Sequence, residues 1–198
     1  MEVFDEERLE RSLRKLPAWK RVAFMALLGA RMLPNYRRYS AESGFGDVSV
    51  LEETLDAAWT WIESGRLPAN ATALLEACDR QDPDPEKSTH PYTWPAVDAA
   101  CVAAMTLTAI VDPGQLPLTD PASVARDSVD SFVQQLLVHD ANTPGYQEAV
   151  LGHPLMQREL RQQREDLEML EKLREDRQTV GRELRAIAAA RTSGSLDG

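Results

Sequence analysis

The sequence predicts an all-α fold, a single-domain helical bundle of about seven helices, on three observations. Apolar residues recur at helical spacing in segment after segment, alternating strand patterns are nearly absent, and Pro, Gly and Asp punctuate the places where helices start and stop. The 198 residues lie in the size range of one domain, and one core can bury well over half of the surface that the unfolded chain exposes. Residues 1–191 read as one helical domain and 192–198 as a disordered tail.

Asp5 is a good N-cap for the first helix, with Phe4 and Leu9 at the two positions of a hydrophobic staple and Leu9, Leu13 and Leu16 facing inward. Pro17 ends that helix. The second, 18–33, carries Trp19, Val22, Met25, Met32 and Leu33 on a broad stripe; Gly29 lets a neighbour approach closely, and Pro34 is expected to stop the helix. The glycines of Ser43-Gly44-Phe45-Gly46-Asp47 demand a turn. A third helix follows, with Ser49 and Glu52 at capping-box spacing, Val50, Leu51, Leu55, Ala58, Trp59 and Ile62 on its apolar face, and Ser64-Gly65 at its end.

A short fourth helix, 71–78, stands behind Asn70, and the stretch 80–91, rich in Pro, Asp and Ser, is an exposed connection. The fifth, 95–111, is apolar on nearly every side, so it is read as the central helix; Asp98 is its one charge. That charge and Pro95 argue for a core helix rather than a membrane span. Asp120 is expected to cap the sixth helix with Pro121 in its first turn, and Val124, Phe132, Val133, Leu136 and Leu137 to point inward. After a break at 142–145 and a short piece at 146–151, Pro154 opens a long C-terminal helix reaching about Ala190. Its leucines slip register by one between Leu170 and Leu173.

Charge narrows the function. The net charge of -10 disfavours nucleic acid, because phosphate binding draws on clustered Lys and Arg. From Met156 to Arg191 nine Arg or Lys stand against eight Asp or Glu, so nearly all the excess acid lies on the first three quarters of the chain. The N-terminal residues lack the basic-then-apolar order of a secretory signal, and Cys78 and Cys101 sit inside helical patterns as small apolar residues, so a cytoplasmic protein is expected.

Met32-Leu33-Pro34-Asn35-Tyr36 with Ser43-Gly44-Phe45-Gly46-Asp47, and then the segment from Trp94 to Ala103, resemble the signature segments of the YjaG-like family of bacterial proteins, domain of unknown function 416. The resemblance extends from about Leu16 to about Arg191. It implies an all-helical fold in the bacterial cytosol and brings no activity, cofactor or catalytic residue with it.

Candidate site residues are Asn35, Tyr36, Tyr39, Phe45, Asp47, Trp94 and Asp98. Backbone amides ahead of a helix can bind an anion and tyrosines can stack on a planar ligand; equally, Phe45 can plug the core while Asp47 helps to cap a helix. Asp98 in an apolar helix requires a partner, with Arg31, Arg37 and Arg38 the candidates, or else a raised pKa. His90, His139 and His153 are scattered, and no zinc, nucleophile-elbow, P-loop or dinucleotide motif occurs, so no catalytic residue, metal or cofactor is assigned. The reading is a protein-interaction module, an adaptor or inhibitor whose acidic surface docks a basic protein, with homodimerisation through the C-terminal helix as a further option. The alternative is a small-molecule-binding protein or enzyme with a pocket near Tyr36, Phe45, Trp94 and Asp98.

Overall fold

The chain turns almost wholly into helices because its capping residues and apolar stripes agree about where each begins. The structure, a computed structural model, describes residues 1–114, 117–137, 142–174, 176–191 and 193–197. Among the described residues there are nine helices and no strand: α1 Glu6–Lys15, α2 Ala18–Ser43, α3 Val48–Ser64, α4 Ala71–Asp79, α5 Thr93–Val111, α6 Asp120–Leu136, α7 Tyr146–Gly152, α8 Pro154–Lys172 and α9 Arg177–Ala190. His139 lies outside the described residues.

α1 follows the sequence closely: the Asp5 carboxylate accepts the Arg8 N–H at 2.9 Å, and Leu9, Leu13 and Leu16 are buried. α2 does not. Pro34 sits inside it and the helix runs on to Ser43, where Gly44 at φ 74° closes it. An internal proline forfeits a backbone hydrogen bond and crowds the preceding turn, a cost of about 3 kcal/mol. Burial of Leu33, Asn35, Tyr36 and Tyr39 on both sides of the proline outweighs it.

α2 and α5 form the centre. α5 packs on α2, α3, α4 and α6, while α2 also touches α8 and α9. The two run antiparallel, since Tyr39 near the end of α2 meets His90 just before α5. Gly29 is needed where they crowd α3: a Cβ there would lie 2.8 Å from a methyl of Leu55.

Of the two residues read as starting α3, Asp47 rather than Ser49 is the cap, its carboxylate accepting the Ser49 N–H at 2.9 Å and the Ser49 hydroxyl at 2.7 Å. Thr119, not Asp120, precedes α6, and its hydroxyl donates to Glu6 of α1 at 2.9 Å. On α6, Phe132 and Val133 are buried as expected, but Leu136 is exposed.

The expected long C-terminal helix is broken into α8 and α9. Leu173 and Asp176 are extended, and Asp176 restarts the helix by accepting the Gln178 and Thr179 N–H groups at 3.0 and 3.1 Å. Lys20, buried on α2, donates to the Leu170 and Leu173 carbonyls at 2.6 Å and so closes α8 from the side. α9 folds back on α3: Arg177 stacks 4.4 Å over the Trp61 ring and donates to the Ile62 carbonyl.

Residues 193–197, expected to be disordered, are docked instead. Ser195 and Leu196 are buried, and the Ser195 N–H donates to the Arg31 carbonyl at 2.9 Å, beside the turn that Pro34 loosens. Asn35 completes the contact by donating to the Ser195 hydroxyl at 2.9 Å.

Candidate functional site

The glycine-flanked turn is built from short-range needs. Gly44 and Gly46 both have positive φ, and a Cβ on Gly46 would collide with the Tyr36 hydroxyl. That hydroxyl donates to the Gln81 carbonyl at 2.9 Å, and burial pushes its pKa well above that of an ordinary phenol. Three of the amides that could cradle an anion are already occupied. The Phe45 N–H donates to Ser43 at 3.1 Å, that of Asp47 to the Gln81 side chain at 2.7 Å, and that of Ser49 to Asp47. Phe45 does not plug the core: it is 39 % exposed, edge-on to Tyr39 with ring centroids 6.3 Å apart.

From Phe45 an aromatic chain crosses the end of the bundle, running Tyr39, His90, Tyr92 and Phe132 with successive centroids 5.2 to 6.1 Å apart. His90 is held at both nitrogens. Its Nδ1 accepts the Tyr92 N–H at 3.2 Å, which leaves Nε2 to donate to Glu42 at 2.9 Å. Glu42 also accepts from Arg38 at 2.9 Å, and the hydrogen bonds from Arg38 and then His90 lower its pKa. Arg38 lies 4.5 Å over the Tyr92 ring and donates to its hydroxyl.

α5 carries the other two predicted residues. Trp94 is 54 % exposed, and Asp98 follows one turn later on the same face, partly buried. The face continues through Val97, Cys101, Ala104, Met105 and Thr108, all only partly buried, so the most apolar helix of the molecule is left incompletely covered. Burial lifts the Asp98 carboxyl to about 6. The buried Ser128 hydroxyl of α6 faces it and tempers the rise without completing a full hydrogen bond, and neighbouring Asp127 adds to it. Burial, helped by Asp82, Asp98 and Asp120, likewise pushes the Cys101 thiol up to about 11, which disfavours a thiolate nucleophile.

None of the arginines expected to neutralise Asp98 does so. Arg31 pairs with Glu159 and Asp166, Arg37 with Glu52 and Arg38 with Glu42. Among the described residues no cation lies within ion-pair distance of Asp98. Nor does any cluster of three or more His, Cys, Asp or Glu among them suit a metal ion.

The predicted residues therefore separate. Asn35 binds residues 193–197, Tyr36 is sealed beneath the turn, Asp47 is a cap, Tyr39 and Phe45 begin the aromatic chain, and Trp94 and Asp98 share the open seam of α5. The sequence reading missed the buried ionic cluster, in which Arg31 meets Glu159 at 3.0 Å and Asp166 at 2.5 Å while Arg191 meets Asp166 at 2.6 Å. Its one local signal is an arginine amid the apolar run of α2.

The model of the family described as "Protein of unknown function (DUF416)" matches residues 8–194. "Uncharacterized protein YjaG" of Escherichia coli K12 is 34% identical over 95 residues, which cover 48% of this chain and 48% of that protein. Its namesake in Salmonella typhimurium is 33% identical over the same shares. These matches span about half the length of the curated relatives. The crystal structure of a DUF416 family protein from Shewanella baltica superposes with a TM-score of 0.86 at 22% identity, covering 94% of this chain and 96% of that one. Such a likeness shows the all-α fold.

Proposed function

The chain belongs to the DUF416 family, proteins of unknown function, and from that premise we propose that it is a protein-interaction module, an adaptor or inhibitor, that docks a basic protein along the open seam of α5. One observation carries the reading: Trp94 stands exposed one helical turn from a partly buried carboxylate that has no cation of its own among the described residues. Tryptophan is the residue type most enriched where interfaces concentrate their binding free energy. An Arg or Lys brought against Asp98 would restore its ionised form and make a desolvated, charge-assisted contact. The net charge of -10 favours encounter with a positively charged surface. It also disfavours a second copy of this chain as occupant, because two chains of net charge -10 repel.

The pocket reading finds less support. Tyr36 is buried beneath Gly46 with its hydroxyl engaged, so it does not border a space shared with Trp94 and Asp98. A cytosolic setting belongs to this proposal, as does the choice between adaptor and inhibitor.

The test is low-salt affinity purification of the tagged chain beside Trp94→Ala, Asp98→Lys and a control, Leu67→Ala, which alters a residue 52 % exposed away from α5. A basic protein held by wild type and control, released by salt and lost from both seam variants, is the expected outcome. Retention by both seam variants would overturn the reading.

A further inference from the structure

At the far end of α5 from Trp94, roughly 20 Å away along the helix, a cleft of about 600 Å³ opens between α1, α2 and the residues Pro113, Gly114, Pro117 and Leu118 beyond α5. Its floor and walls are apolar: Ala18, Val22 and Met25 from α2, Ala109 from α5, and Leu118 beyond it. Val22 and Met25 are core residues, so the cleft reaches down to the packed interior. Its volume falls within the range of about 300–1,000 Å³ that small-molecule sites occupy.

The rim is charged. Arg14 is committed to Glu10, whose carboxylate it meets at 2.5 Å. Arg21, partly buried one helical turn from Ala18 and Met25, makes no ion pair or hydrogen bond through its side chain among the described residues. The cleft mouth thus carries one uncompensated positive charge, in a chain whose net charge is -10. A guanidinium presents a fork of donors that matches a carboxylate, and it can make that match while its stem lies along apolar surface.

We infer that this cleft binds a small amphipathic carboxylate, its apolar body on Val22, Met25 and Ala109 and its carboxylate on Arg21. This site is separate from the α5 seam, so either can fail without the other. The anion supplies the acceptor that Arg21 lacks, and each methylene laid on the floor leaves water. The two contributions are separable, because the charge is read by Arg21 alone and the length by the floor.

Isothermal titration with decanoate, hexanoate and decanol reads both. Decanoate is expected to bind one molecule per chain, more tightly than hexanoate and more tightly than decanol. Arg21→Gln should weaken decanoate about tenfold or more while leaving decanol unchanged, since a hydrogen bond to a charged group is of that worth. Arg21 makes no ion pair or side-chain hydrogen bond among the described residues, so the variant should melt with the wild type. Ala18→Phe, at an exposed position of the cleft, should fill the space and remove binding of all three. Decanoate binding that is non-saturable, or saturable binding that Arg21→Gln leaves unchanged, would overturn the inference.

Discussion

Asp98 shows what one side chain can reveal when its charge has nowhere to go. Its carboxyl is lifted from 3.8 to about 6 by burial. Within that window the folded chain holds a proton that the unfolded chain has released, so this group's contribution to stability falls as the pH rises and is level above about 6. Asp98→Asn should therefore raise stability at pH 7.5 by about 1 kcal/mol, allowing for partial screening, and the gain should fade below pH 4. Urea denaturation of both proteins across that range measures it. Arg31 behaves in the opposite way. Burial works against its charge, but Glu159 and Asp166 more than offset this and hold its pKa above the usual arginine value. Arg31→Met strands Glu159, with Asp166 left to Arg191 alone, and is expected to cost about 3–5 kcal/mol in the same denaturation experiment. Asp98 was legible in the sequence as a lone charge in an apolar helix; its lack of a partner was not, because Arg31 and Arg37 find carboxylates on other segments while Arg38 turns to Glu42 on its own helix. Phe45 misled for a related reason: a glycine on each side marks a turn, and only the packing of Tyr36 and Tyr39 decides which way its ring faces.

Helix starts and stops follow local chemistry until burial overrides it. Asp5 and Gly65 act where the sequence places them, because a cap needs only neighbours within one turn. Pro34 fails to end α2, since its cost is smaller than that of exposing Tyr36 and Tyr39. The break between α8 and α9 had a signal, the one-residue slip between Leu170 and Leu173, but the fold-back that explains it depends on Lys20 and Trp61, more than a hundred residues earlier. The Asp176 carboxylate, accepting two backbone N–H groups and the Thr179 hydroxyl, is what restarts the chain as α9. Asp176→Ala should cost about 1 kcal/mol. Faster amide hydrogen exchange confined to the first turn of α9 would locate the loss there, and unchanged exchange at Gln178 and Thr179 would count against the cap.

Across the whole molecule, apolar surface is left open where one face of the central helix emerges, and Asp98 lies on that face. The all-α class was legible because periodicity is a local property, and so was the excess of acid in the first three quarters of the chain. What composition could not convey is that α5, apolar on nearly every side, keeps one face partly open, because that depends on how α4 and α6 flank it. The aromatic chain from Phe45 to Phe132 was hidden for the same reason, being assembled from residues far apart in sequence. Photo-crosslinking in living cells tests the docking surface most directly. A benzophenone amino acid is placed at position 94 and, as control, at position 67, each with and without Asp98→Lys. The account predicts a crosslinked adduct with a basic protein from position 94 alone, abolished by Asp98→Lys; no adduct at 94, or the same adduct from 67 or in the presence of Asp98→Lys, would contradict it.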